Sequence, residues 1–132
     1  MREWIGVWLF PNGLDAVRVD YLTAFAGLGF APDRPLRFYV GRRNGQAVAC
    51  VALFYAEGVA AVHHVVTIVD QRRQGLGAAM TQFAMQEARA QGYRVAVLTA
   101  SPMMGYNIYT RLGFQPYITM RTYGWEPPDP HG

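Results

Sequence analysis

The chain has 132 residues, 52% hydrophobic and 16% charged, enough apolar content for one real core and too little charge for a disordered polyelectrolyte. Its net charge is +3 and all 12 basic residues are arginine, a positive charge too small and scattered for a nucleic-acid footprint. Cys50 is the only cysteine, which excludes an intramolecular disulfide and suits a reducing cytoplasm.

Trp4 to Phe10 is a short apolar run that reads as a strand or an interface segment, ending at Pro11-Asn12-Gly13. It lacks the flanks of a signal peptide, and no stretch of the chain reaches the ~20 apolar residues of a membrane span. A helix is predicted to start at Asn12, with Leu14, Val17, Tyr21, Phe25 and Leu28 on one face and Gly29 as its stop. Ala31 to Pro35 is a loop. Leu36 to Arg42 and Gln46 to Tyr55 are strand-like, and the Asn44-Gly45 pair between them signals a hairpin. The second run is apolar on both faces, as a central, doubly covered strand requires. Glu57-Gly58 turns the chain into a third strand, Val59 to Val69.

A helix is predicted from Gly75 to Gln91, with Leu76, Met80, Phe83, Ala84 and Ala88 on one face and Gly92 as its stop. Arg94 to Leu98 is a fourth strand, and strand–helix–strand order implies parallel pairing with the third. A short helix runs from Gly105 to Leu112 and stops at Gly113, and Phe114 to Gly124 reads as a closing strand. Residues 1–125 are expected to form a single domain, with 126–132 a loose proline-rich tail.

The most informative stretch is Arg72-Arg73-Gln74-Gly75-Leu76-Gly77, between the third strand and the following helix. Glycines at a helix mouth let main-chain N–H groups approach an anion, and the helix end and the arginines add positive charge. The stretch reads as a diphosphate cradle. A dinucleotide fingerprint would need glycine where Met80 stands and an acidic residue near Arg94 to Leu98, and a phosphate-binding Walker loop would need a lysine.

The R-x-x-G-x-G form of Arg72 to Gly77, followed by Tyr109-Thr110-Arg111-Leu112-Gly113-Phe114, resembles the GNAT superfamily of acyl-CoA-dependent N-acetyltransferases over about residues 36–121. The resemblance implies an α/β (α+β) fold: a mixed, mostly antiparallel sheet with a parallel strand–helix–strand core and helices on both faces. It implies acetyl-CoA as cosubstrate. The pantetheine arm is expected along Val66, Thr67, Ile68 and Val69, and the diphosphate on the amides of Arg73, Gln74, Gly75, Leu76, Gly77 and Ala78 beside Arg72. Asn107 is expected to bond the cofactor arm, and Tyr109 to be the acid that protonates the departing thiolate.

Base candidates are few: His63, His64, Glu57 and Asp70. Ala61 stands near where some members of that family carry a carboxylate. His63, two residues on, shares its sheet face and suits proton transfer near neutral pH. The alternation of a strand is expected to point His63 and His64 to opposite faces. No histidine recurs at metal-ligand spacing, so no metal is expected. Arg42 and Arg43 read as solvated, Met103 and Met104 as packing or acyl-pocket lining, and Cys50 as an inert core residue.

The region before the hairpin is shorter than the family's strand and two helices. Two readings are open: a minimal but complete domain, or a homodimer in which a second subunit covers Trp4, Trp8 and Phe10. The expected activity is acetyl transfer by direct attack of a primary amine on a small molecule or peptide, without nucleic acid or membrane as partner. The alternative is a non-catalytic acyl-CoA-binding sensor.

Overall fold

The computed structural model describes residues 2–9, 33–103 and 105–129. The helix expected after Asn12, together with Phe10 and Met104, lies outside the described residues. The described elements are α1 (Arg2–Leu9), β1 (Leu36–Arg43), β2 (Gln46–Ala56), β3 (Val59–Thr67), a 3-10 turn (Val69–Gln71), α2 (Leu76–Ala90), β4 (Val95–Leu98) and α3 (Tyr106–Arg111).

The strands form one sheet in the order β1-β2-β3-β4. The two hairpins make β1–β2 and β2–β3 antiparallel, and β4 pairs with β3 in parallel. Each hairpin turn has positive φ at both central residues, 50° and 78° at Asn44-Gly45 and 50° and 77° at Glu57-Gly58. That geometry twists with the strands it joins.

β2 is the centre of the molecule. Its residues alternate between two cores, as the period of a strand demands. Ala49, Val51, Leu53 and Tyr55 face α2 and pack with Met80, Ala84 and Ala88. Cys50 and Ala52 face α1 and pack with Trp4, Ile5 and Val7. The sheet is therefore mixed, mostly antiparallel, and covered by a helix on each face.

Two expectations change here. Trp4 to Phe10 is not a strand: Arg2–Leu9 is helical, and the four-residue spacing of Trp4 and Trp8 puts both indoles on the sheet side. Trp4 is 2% exposed, its ring centroid lies 4.8 Å from that of Phe38, and its Nε1–H donates to the Val51 carbonyl at 3.1 Å. This chain's own sheet covers that indole, so Trp4 gives no reason for a second subunit. Glu3 of the same helix takes Arg42 as an ion-pair partner, with Arg42 Nη1 to Glu3 Oε1 at 2.8 Å, so Arg42 is not simply solvated.

Phe114 to Gly124 is not a strand either. The segment has no regular structure and pairs with none of the described strands. Its alternation is strand-like, but a strand exists only where a neighbour completes its ladder, and Pro116 removes one donor near its start.

Trp4→Ala is expected to cost about 3–5 kcal/mol, since it empties a buried aromatic site and strips an indole donor from a buried carbonyl. Urea denaturation checks this; a loss below about 1 kcal/mol would mean that α1 does not dock on the sheet.

Candidate functional site

The parallel pairing of β3 with β4 stops early. Its register runs from Val59↔Val95 to Val62↔Leu98 and no further. On the other side of β3 the register to β2 shifts, with Ala52 opposite His63 but Cys50 opposite Val66. One extra β3 residue has been inserted opposite Val51, a β-bulge, and His64 within it has φ 53°. A histidine in the left-handed region is strained by about 1 kcal/mol or more and is held there by its surroundings. Beyond Val62 the outer edge of β3 pairs with no described strand, so the sheet is open along that edge.

The main chain along that open edge can be assigned by alternation. Ile68 N–H bonds inward to Val48 O at 3.0 Å, so the neighbouring Thr67 peptide edge faces the opening. The Thr67 carbonyl accepts a hydrogen bond from Arg72 Nε at 3.1 Å. Of the four residues expected along a pantetheine arm, Val66 and Thr67 lie on β3 past the bulge. Ile68 has its N–H engaged with β2, and Val69 lies in the 3-10 turn.

The glycine loop sits at the end of this open edge. Arg73 and Gly75 have φ of 60° and 78°. Gly75 is the N-cap of α2, and no side chain caps this helix start. The first intrahelical bond at this end is Ala79 N–H to Gly75 O at 3.0 Å, which leaves the amides of Leu76, Gly77 and Ala78 without helical partners. A Cβ on Gly75 would meet nothing within 4 Å, and one on Gly77 only Ile108 Cδ1 at 3.9 Å. Space beside these two glycines is therefore open, and glycine at 75 serves the backbone angle. Uncapped donors, the positive helix end and room beside them are what a diphosphate requires, so the residues fit that group.

Positive charge surrounds the loop. Arg43 does not reach only into solvent, because Nη1 donates to Gln71 Oε1 at 3.1 Å and to Gln74 Oε1. It ties the β1–β2 hairpin to the loop. The Arg73 side chain is exposed and forms no ion pair among the described residues.

Tyr109 is placed by the helix stop that follows it. Gly113 N–H bonds Thr110 O at 3.1 Å and Phe114 N–H bonds Tyr109 O at 3.0 Å, and the Tyr109 and Phe114 rings meet edge-on at 6.1 Å. This is a Schellman stop with its usual apolar contact, and it needs the left-handed φ of 96° that Gly113 supplies. On the other side a Cβ at Gly105 would stand 2.8 Å from Tyr109 Cε2, so the ring packs flat against bare backbone. Burial pushes the Tyr109 hydroxyl above the ordinary phenol range, which keeps it protonated. Asn107 is exposed on the same helix, and Met103 is 90% exposed and lines nothing.

The bulge corrects one expectation. His63 and His64 do not face opposite ways: both turn toward the α1 side, with ring centroids 6.0 Å apart. His63 is exposed. His64 is half-buried, and its Nδ1 accepts a hydrogen bond from Trp8 Nε1 at 3.0 Å. Burial first, and the His63 charge second, hold the His64 pKa below the ordinary imidazole range. Cys50, 0% exposed, donates to the His64 carbonyl at 3.6 Å, and burial pushes its thiol up to about 12. It is no nucleophile. Sequence reasoning missed the Trp8–His64 pair and Arg43's grip on the loop; the helical spacing of the two tryptophans was the available signal for the first.

A family model described as the acetyltransferase (GNAT) domain matches residues 34–116. No curated protein matches the sequence. Solved structures share the fold. Glucosamine-6-phosphate N-acetyltransferase from Arabidopsis thaliana superposes with TM-score 0.73 at 14% identity, over 93% of this chain and 89% of that one. The acetyltransferase AAC(6')-Iy, in complex with the bisubstrate analog CoA-S-monomethyl-acetylneamine, gives 0.72 at 17% identity, over 95% and 90%. A predicted acetyltransferase from Clostridium acetobutylicum, solved with acetyl-CoA, gives 0.69 at 16% identity, over 92% and 87%.

The His64 arrangement predicts a pH dependence of stability. Its folded pKa lies below its unfolded value, so the unfolded state binds the extra proton first as pH falls. Unfolding free energy should therefore drop as pH is lowered through about 6.5 and flatten below the folded value. His64→Asn, which tolerates the left-handed backbone, should remove much of that slope. Urea titrations across this range check it; an unchanged slope in the variant would assign the effect to other groups.

Proposed function

This chain belongs to the acetyltransferase (GNAT) family, and on that premise we propose that it moves an acetyl group from acetyl-CoA to a primary amine by direct attack. The observation that carries this reading is the uncapped first turn of α2, opening beside the unpaired edge of β3 and within reach of the helix that bears Tyr109. Acetyl-CoA is the cosubstrate and supplies an activated acyl group as its thioester.

In this reading the amides of Leu76, Gly77 and Ala78, with Arg72 and Arg73 beside them, hold the diphosphate. The outward peptide edge of Thr67 aligns the pantetheine arm along β3 past the bulge, as an added strand would be aligned. A main-chain N–H of β3 near the bulge polarises the acetyl carbonyl, since donors fixed before the reaction cost no reorganisation during it. Tyr109 keeps its proton because its half-buried setting disfavours the phenolate, and gives it to the departing sulfur. His63, exposed on the α1 side of the same strand, takes the proton of the incoming amine directly or through water. Asn107 steadies the arm from α3.

The acceptor is proposed to be a small molecule or peptide bearing an amine. No helix among the described residues is long and apolar enough to cross a membrane. A free, buried cysteine suits the cytoplasm as the place of action.

Tyr109→Phe is expected to lower kcat by about 100-fold or more while leaving acetyl-CoA affinity within about twofold, since the ring stays and only the proton is lost. Thiol release over a panel of amines, with calorimetry of acetyl-CoA binding, checks both. Full turnover by the variant under chemistry-limited conditions would remove Tyr109 from the mechanism, and binding without thiol release on any amine would favour a sensor.

A further inference from the structure

We propose that Arg43, at the β1–β2 hairpin, is a positioning residue for the cosubstrate: it holds the glycine loop in its anion-binding form through the side chains of Gln71 and Gln74. This role rests on the acetyl-CoA reading above and adds to it a residue outside the glycine motif.

Alternation along β1 delivers Arg43 to the loop. Phe38 and Val40 pack on the α1 side, and Arg42, next in that series, pairs with Glu3 of α1. Tyr39 and Gly41 lie on the α2 side, where a Cβ on Gly41 would stand 2.7 Å from Met80 Sδ. The bare glycine lets β1 lie close against Met80 of α2. Arg43 is the next residue on that side, and it emerges beside the loop that leads into α2.

The loop has few other braces. The 3-10 turn is closed by Gln71 N–H to Ile68 O at 3.0 Å and by Arg72 N–H to Val69 O at 3.3 Å, and Arg72 Nε bonds Thr67 O. Among the described residues, the main chains of Arg73 and Gln74 make no hydrogen bond to other main-chain groups. Yet Arg73 has φ 60°, a left-handed setting that a non-glycine residue keeps only when its surroundings hold it. The side chains that Arg43 engages lie on either side of this residue: Nη1 donates to Gln71 Oε1 at 3.1 Å and to Gln74 Oε1. Gln74 precedes Gly75, the N-cap of α2. Holding Gln71 and Gln74 therefore fixes the strained residue between them and the direction of the Leu76, Gly77 and Ala78 amides.

Both partners of Arg43 are neutral amides, and it forms no ion pair among the described residues, so its charge also stays beside the loop. That charge is exposed, and salt screens its pull on an anion. The hold on the loop is geometric and is not screened in the same way. The two contributions can be separated by experiment.

Backbone relaxation of the free protein reads the hold with no cosubstrate present. Order parameters at Arg73, Gln74 and Gly75 should be near ~0.85 in the wild type and fall toward ~0.6 in Arg43→Gln. In steady-state assays Arg43→Gln should raise KM for acetyl-CoA about fivefold, the order of one net hydrogen bond, with kcat within about twofold. The ratio should persist at ~0.5 M salt. KM for S-acetyl-pantetheine, which has no diphosphate, should not change. Removing Arg43 from a Gln71→Ala, Gln74→Ala protein should have little further effect, because members of one network couple. A loop as rigid without Arg43 as with it would overturn the proposal. So would a KM ratio that falls to one in salt, an equal loss with S-acetyl-pantetheine, or additive effects of the arginine and glutamine changes. A loop that loosens in the variant of a protein that does not use acetyl-CoA would instead defeat the acetyltransferase reading, and with it the cosubstrate role of Arg43.

Discussion

Among the described residues, main-chain donors at the head of α2 and along the adjoining edge of β3 meet at one corner of this sheet, and the packing on both faces holds them there. Backbone N–H groups are nearly always satisfied within a fold. Here, among the described residues, the first turn of α2 has no side-chain cap and the adjoining edge of β3 has no strand neighbour past Val62. The second gap comes from one departure: β3 pairs with β4 for four residues and then bulges at His64. An anion and an extended polar arm would complete the backbone at that corner, as the proposed binding of a nucleotide-like thioester requires.

The bulge is supported from the α1 face. Val51, the β2 residue skipped by the register shift, has its carbonyl bonded by the Trp4 indole. His64, whose backbone is left-handed, is held by the Trp8 indole and stands edge-on to both tryptophan rings. Helix and bulge thus form one packed unit, and the strain at His64 is offset in part by contacts that α1 supplies. On the opposite face α2 rests on Val51, Leu53 and Ala60, so the loop at its head is fixed relative to β3.

Much of this was legible in the chain because it is locally encoded. Asn44-Gly45 and Glu57-Gly58 set both hairpins, the unbroken apolar run of β2 marked a strand covered twice, and Gly92 and Gly113 closed their helices. The tyrosine–glycine–phenylalanine spacing at 109–114 has a physical cause as well, since it builds the Schellman stop that seats Tyr109. What failed was non-local. A seven-residue apolar run does not separate helix from strand, and only docking against β2 decides it. A bulge depends on register between strands, so no alternation rule could place His63 and His64 on one face. Residues 114–124 carry a strand pattern without a partner within the described residues, and the pattern alone does not create a ladder.

The central claim is that the amides at the head of α2 receive the diphosphate of coenzyme A. Amide NMR of the labelled protein during titration with coenzyme A, and separately with pantetheine, addresses it directly. The account predicts large shifts at Leu76, Gly77 and Ala78 with coenzyme A and little change there with pantetheine. Saturable binding of coenzyme A that leaves those three resonances in place would contradict it.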